Sequence, residues 1–388
     1  MGKRAIGIVA ASLLLCAAGA LLFAWSGLYN VGASRGHWPI TRWFLEFAMR
    51  NSIETHALLI EAPPLDDLAL LYLGLGHYEG ACTPCHGAPG EPRNPIPLQL
   101  VPEPPFLPDV ATLWSPEELF WIVKHGLKYT GMPAWPAQQR DDEVWAVVAA
   151  LVRLPYMDAV EYRRLTRREL SRDPARIRAD AELIATAGPL GDDLVACARC
   201  HGLDGAGGGA GAFPRLAGLD EAYIYDALRS YAAGSRPSGV MQPIAVELSD
   251  AEMRELARYF ASIPTDAEEP SDGPIADAET RHLGRRVAHE GIAAAGVPAC
   301  APCHGPTDAP RYWLYPYLPG QHAAYLIQQL RLWREGTLAT TPQGAVMHAA
   351  ARGLSDRHIE AVAHYYQHVA ASEGRPVRHT REERWTWP

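Results

Sequence analysis

The chain lacks the marks of most enzyme classes. No Gly-rich phosphate loop, no Ser/His/Asp arrangement and no metal cluster stands apart from three short motifs treated below. Basic charge is not in excess either. Lys and Arg number 35 against 44 Asp and Glu, for a formal net charge of −9. A chain of that sign is poorly matched to a phosphodiester backbone, which excludes nucleic acid as the main partner. Charge of either sign is missing from Ala5 to Trp25. A bilayer core needs about 20 apolar residues as a helix, so this run is expected to cross a membrane. Lys3 and Arg4 precede it and place the rest of the chain on the outer side by the positive-inside rule. The competing reading is a cleaved signal peptide, whose apolar region is shorter, about 7–15 residues, and ends in an Ala-x-Ala-like site. No such site follows here. Leu15 before Cys16 is too large for a lipoprotein signal.

What is present is ordinary for globular protein. The 388 residues allow two to four domains, and 48% hydrophobic residues suffice for packed cores. The 34 Gly and 33 Pro suggest small domains with much loop. Cysteines number seven. Cys16 stands alone. The other six form Cys82/Cys85, Cys197/Cys200 and Cys300/Cys303, and each pair is followed at once by a histidine: His86, His201 and His304.

These motifs sit in three similar units. In each, a helical stretch leads into Cys-x-x-Cys-His, a Gly/Pro-rich loop follows, then a Met, then an amphipathic helix. Met132, Met241 and Met347 each lie nine residues before an Asp (141, 250 and 356) placed to cap the last helix. Apolar residues in those helices recur at three and four. The second and third units match each other more closely. Phe213-Pro-Arg-Leu-Ala-Gly218 parallels Tyr315-Pro-Tyr-Leu-Pro-Gly320, and each precedes a helix with tyrosines, Tyr223 to Tyr231 and Tyr325 to Trp333. The first unit has its own loop, with prolines at 92, 95, 97, 102, 104, 105 and 108.

Cys-x-x-Cys-His is a haem c attachment motif. Two thiols on one turn reach the two vinyl groups of one haem, and the adjacent His projects under the iron. A redox dithiol wants a βαβ context, which is absent, and a closed zinc site wants about four ligands in a geometry that His directly after Cys serves poorly. Three copies in one helical frame predict three covalently bound haem c groups. The sixth ligand is then Met132, Met241 or Met347, since a distal Met fills the iron and raises its potential. Rival ligands are His125, His322 and, best placed, His348. Pro214 and Pro316 occupy equivalent places where a carbonyl would accept the proximal Nδ1–H and fix the ring. Arg199 is either solvated or set against a haem propionate.

With these residues in view, each unit resembles a class I cytochrome c domain. The last two together resemble the diheme cytochromes c of bacterial periplasms, on Val297-Pro-Ala-Cys-Ala-Pro-Cys-His304, Pro316-Tyr-Leu-Pro-Gly-Gln-His322 and Leu354-Ser-Asp356. The expected fold is mainly α: three tandem class I domains after one transmembrane helix. The expected division is an anchor at 1–27, a membrane-proximal segment at 28–64, domains at 65–156, 181–264 and 278–372, linkers at 157–180 and 265–277, and a tail at 373–388. Trp38, Trp43 and Phe44 either sit at the membrane interface or pack on the first domain. The resemblance implies a non-enzymatic one-electron carrier at a bacterial inner membrane, with its haem domains in the periplasm. It would pass electrons from a quinol-oxidising complex or dehydrogenase toward a terminal oxidase. Its partners would be redox proteins, with no small-molecule substrate. The alternative is a cytochrome subunit of a periplasmic dehydrogenase. A haem peroxidase would need an open sixth position, which a Met in every unit argues against.

Overall fold

The computed structural model describes residues 2–166, 190–264, 276–307 and 309–370, with Glu182 and Ile184. Most of the expected linkers and all of the tail, with Trp385 and Trp387, lie outside the described residues. Among those residues the protein is helical, with no strand and two isolated bridges, Gly208 with Phe213 and Ile292 with Val297.

Helices of ten residues or more are numbered in chain order. They are α1 Lys3–Ser26, α2 Pro39–Ala57, α3 Leu68–His77, α4 Pro116–His125 and α5 Asp141–Arg153, followed by α6 Leu190–His201, α7 Glu221–Ala232 and α8 Asp250–Ser262. The last four are α9 Ala278–Glu290, α10 Ala323–Glu335, α11 Pro342–Ala351 and α12 Asp356–His368. Helix α1 is apolar and long enough to cross a membrane, and its side chains touch no core.

Three apolar cores follow. The first gathers Leu75, Tyr78, Phe120, Val144, Val148 and Leu151, the second Leu194, Ile224, Leu256 and Phe260, and the third Val287, Leu326, Ile359, Val362 and Tyr366. In the first and third, the opening and closing helices cross closely, α3 on α5 and α9 on α12. Glycine permits each crossing. A Cβ at Gly74 would collide with the Ala146 carbonyl, and one at Gly284 with the Ala361 carbonyl.

Local sequence explains how each closing helix starts. Ser249 accepts from Glu252 N and Ser355 from His358 N, each in a reciprocal capping box. Asp250 and Asp356 are therefore first helical residues and not the caps expected. Their carboxylates still favour the helix N-terminus through the dipole. Asp141 is likewise the first residue of α5. Its N-cap is Arg140, which has no acceptor to offer.

Two further expectations change. The charged stretch after Glu161 opens inside the first core: Tyr162 is buried and donates to Glu79 Oε2 at 2.6 Å, and Thr166 is buried on the same helix, Ala159–Thr166. An apolar ring on an otherwise charged segment outweighed the charge pattern. The aromatics of α2 do not pack on the first unit. Ile40, Trp43, Phe44 and Phe47 recur at helical spacing and are all exposed, whereas Ile53 and Ala57, near the helix end, are buried beside α4.

Candidate functional site

Three structural routes lead to the same motif. In the first unit α3 runs on through a π-turn, Tyr78–Cys82, into Thr83–His86. In the second, Cys197 to His201 form the end of α6 itself. In the third, α9 stops at Glu290, and a loop pinned by the Ile292–Val297 bridge delivers Ala301–His304. Pro84 and Pro302 fall in the first turn of their short helices, where no backbone N–H is needed.

The outcome at the histidine is the same each time. Nδ1 of His86 lies 2.9 Å from Pro105 O, that of His201 3.0 Å from Pro214 O, and that of His304 2.9 Å from Pro316 O. A carbonyl only accepts, so Nδ1 carries the proton and Nε2 is the unprotonated nitrogen, the form that ligates a metal. Burial holds the His86 and His304 rings toward the neutral form, against the pull of the Pro105 and Pro316 carbonyls. Pro214 and Pro316 were expected in this role. Pro105 was not, because it lies 19 residues after its histidine against 13 and 12 in the other two units.

Four of the six motif thiols are held in the protonated form. Burial pushes Cys82, Cys197 and Cys300 up to about 12 and raises Cys200. A thiol so placed is neither a good nucleophile nor a ready thiolate ligand. Among the described residues no group of His, Cys, Asp and Glu could hold a separate metal ion.

The methionines sit on different local structures despite their shared spacing. Met132 lies in a loop, its N–H held by Thr130 Oγ1, and Pro133 after it disfavours the α region. Met241 opens a short helix, Met241–Ala245, in which Pro243 is still within the first turn. Met347 lies inside α11, whose N-cap Thr341 accepts from Gly344 N. All three are half-buried.

The rival histidines are engaged elsewhere. His348 Nδ1 is 2.7 Å from Trp333 O, and its ring packs beside Gly336. His322 Nε2 meets Ala206 O at 2.8 Å, across the seam between second and third units. His125 packs at a tilt against Trp121 in a cleft shared with His56.

The donor set fits a haem. Each unit offers two cysteines one turn apart, half-buried except for the exposed Cys303, an imidazole with its proton on Nδ1, and a half-buried thioether later in the unit. Arg93, Arg215 and Arg311 each keep a buried Nε, and Trp333 a buried Nε1, without an acceptor among the described residues. Such donors suit the two propionates that a haem brings.

The second unit meets the others at two seams, and Gln328 of the third unit also donates to Asp142 Oδ2 of the first at 2.7 Å. Between the second and third, Gln321 exchanges two hydrogen bonds with the Arg215 backbone, at 2.8 and 3.0 Å, and Arg311 pairs with Asp220 at 3.0 Å. Half-buried Arg236 meets Tyr223 and Tyr325 hydroxyls at 3.4 Å and faces the Tyr231 ring. At the first seam, Gly76 and Gly80 of the first unit lie against Phe213, Cys200 and Arg199 of the second. Arg199 is thus packed on the opposite unit and not merely solvated.

Residues 73–149 match the family model described as cytochrome c oxidase, cbb3-type, subunit III, and residues 190–264 the model for cytochrome c. A thiosulfate dehydrogenase electron acceptor of Stutzerimonas stutzeri is 38% identical over 196 residues, covering 50% of this chain and 88% of that protein. The chain belongs to the cytochrome c family. Cytochrome c4 of Pseudomonas aeruginosa is 33% identical over 172 residues, 44% of this chain and 82% of that one. The crystal structure of reduced cytochrome c4 from Pseudomonas stutzeri aligns at 33% identity and a TM-score of 0.39, covering 46% of this chain and 95% of that one. As a cytochrome c, the chain is an electron carrier with covalently attached haem c.

Proposed function

We propose that the chain holds three haem c groups and carries electrons among them, one at a time, at the outer face of a membrane. The observation that carries this reading is the repeated construction: three Cys-x-x-Cys-His segments, each with its His Nδ1 on a proline carbonyl at 2.9–3.0 Å. When bound, a haem supplies an iron that accepts and releases a single electron. The chain's part is to keep that iron six-coordinate. Cys82 and Cys85, Cys197 and Cys200, and Cys300 and Cys303 form the thioethers. His86, His201 and His304 supply the proximal ligand, and Met132, Met241 and Met347 the distal one. A proximal ring fixed by a carbonyl does not turn, and a thioether in the sixth position excludes oxygen and peroxide. Pyridine haemochrome analysis is expected to give three covalent haems per polypeptide, retained after acid–acetone extraction. Two would refute the reading.

The second unit shares a seam with each of the others, while the first and third meet at Gln328 and Asp142, and the second is read as the middle of the series. Helix α1 is read as a single-pass anchor, with the haem units in a bacterial periplasm. The exposed stripe Ile40, Trp43, Phe44 and Phe47, a short distance beyond α1, suits the headgroup region, where amphipathic rings prefer to lie. The native chain is expected to keep Arg4 and to fractionate with membranes; an N-terminus mapped near residue 27 would contradict the anchor.

Two partners are in view. One is a respiratory route from a quinol-oxidising complex or dehydrogenase to a terminal oxidase. The other is service as the electron acceptor of a periplasmic dehydrogenase. The relative from Stutzerimonas stutzeri, named for thiosulfate dehydrogenase and covered over 88% of its length, favours the second as immediate donor. Purification in gentle detergent, with identification of what co-purifies, separates an oxidase from a dehydrogenase.

A further inference from the structure

The first unit reaches into the second at the loop that ends in Met241. Glu143, on α5, is 3% exposed and lies in this seam. Its Oε1 accepts from Ser238 Oγ at 2.6 Å, and its Oε2 accepts from Gly239 N at 2.6 Å and from Trp135 Nε1 at 3.3 Å. Arg140 Nη1 is 3.0 Å from Glu143 Oε1 and also donates to Pro237 O at 2.8 Å. Ser238 Oγ in turn accepts from Met241 N at 3.0 Å and from Val240 N at 3.2 Å. Val240 itself packs against the first unit's core. Every residue from Pro237 to Met241 is thus tied to the first unit, directly or through one hydroxyl. Gly239 is needed for the fit, because a Cβ there would strike the Trp135 indole.

The sequence explains why this carboxylate is free to cross. Glu143 stands third in its helix, the position held by Glu252 in α8 and His358 in α12. Those two side chains turn back to their own N-cap serine in a capping box. In α5 the N-cap is Arg140, which cannot accept a bond, so no box forms. The side chain points across the seam to another unit's backbone instead.

We propose that Glu143 is a positioning residue for the second unit's distal ligand: through Ser238 it fixes the backbone at Met241, so that the first unit sets the ligation and potential of the second centre. This rests on the reading of Met241 as that ligand. A thioether–iron bond is weak enough to depend on how well its loop is held. The buried Arg140–Glu143 pair serves here to fix one arrangement of two units.

The test uses full-length protein with its haems, comparing Glu143→Gln, Ser238→Ala, the double variant and Met241→Ala. Glutamine keeps the shape but turns an amide N–H toward donors that a carboxylate satisfied. Each variant is followed by spectroelectrochemistry, by carbon monoxide binding and by the shifted Met methyl resonance assigned with Met241→Ala. Glu143→Gln and Ser238→Ala are expected to lower the potential of the second centre alone. Each should also admit carbon monoxide there in a fraction of molecules. The double variant is expected to be no worse than the stronger single one, since both act through one chain of bonds. An unchanged second centre in Glu143→Gln, with Met241→Ala opening it, overturns the proposal alone. Equal shifts at all three centres would also overturn it, as the mark of general loosening. A second centre still closed in Met241→Ala overturns the ligand reading and this inference together. If Glu143→Gln does not accumulate, Ser238→Ala, which removes one oxygen, decides the same question.

Discussion

Gly76 of the first unit lies directly against Cys200 of the second: a Cβ added at Gly76 would stand 3.6 Å from Cys200 Sγ and 2.8 Å from the Phe213 ring. Six residues further along the same helical run is Cys82. Two haem attachment segments therefore abut, with glycine at the contact. Gly76→Leu is expected to wedge this seam open. Electron exchange between the first and second units should slow, as measured by flash photolysis or pulse radiolysis, while three covalent haems remain. An unaltered rate would mean that electrons pass by another route.

The third centre offers a direct choice between neighbours. Met347→Ala is expected to admit carbon monoxide at that centre and to lower its potential. His348→Ala should leave the centre closed and cost stability of about 1 kcal/mol, from loss of the bond to Trp333 O. The reverse pattern, with His348→Ala opening the site, would reassign the ligand. Reduced-minus-oxidised spectra with and without carbon monoxide distinguish the two.

His77 gives the fold a pH dependence. Burial, and then the Arg199 guanidinium, lower it from 6.5 to about 4. Between those values the unfolded chain binds more protons than the folded one, so stability rises with pH across the window. The contribution is complete above about 6.5 and is lost as pH falls toward 4, amounting to about 3 kcal/mol. His77→Gln should flatten the thermal midpoint between pH 6.5 and pH 4. A midpoint equally pH-dependent in both proteins would contradict this.

The caps of the closing helices are open to a simple check. Ser249→Ala removes the acceptor for Glu252 N and is expected to cost about 1 kcal/mol. Asp250→Asn, one residue on, should cost less, because that carboxylate acts only through the helix dipole and exposed contacts. Thermal unfolding of the two variants compares the effects. A larger loss at Asp250 would restore the aspartate as the cap.

Local chemistry was legible in the sequence wherever it depends on neighbours along the chain. The three Cys-x-x-Cys-His segments and the carbonyl partners Pro214 and Pro316 follow from spacing within a unit. Two N-caps were displaced by one residue, since Ser249 and Asp250, and Ser355 and Asp356, are adjacent and both types serve helix starts; in α5 the residue before Asp141 is Arg140. What stayed hidden lies across chain segments. Nothing near Glu143 in sequence tells of Ser238, 95 residues away, although the Arg at the N-cap of α5 is a visible signal that Glu143 forms no capping box. Pro105 escaped because the first unit's loop is longer, and two adjacent prolines offered themselves. Tyr162 was hidden among charged neighbours, where composition spoke louder than one ring.

The most direct measurement is a coulometric spectroelectrochemical titration of the native protein, repeated under carbon monoxide. The account predicts three electrons per polypeptide, low-spin spectra throughout, the weak far-red Met–iron band in the oxidised form, and no carbon monoxide adduct in the reduced form. Two electrons per chain, or a native centre that is high-spin and binds carbon monoxide, would contradict it.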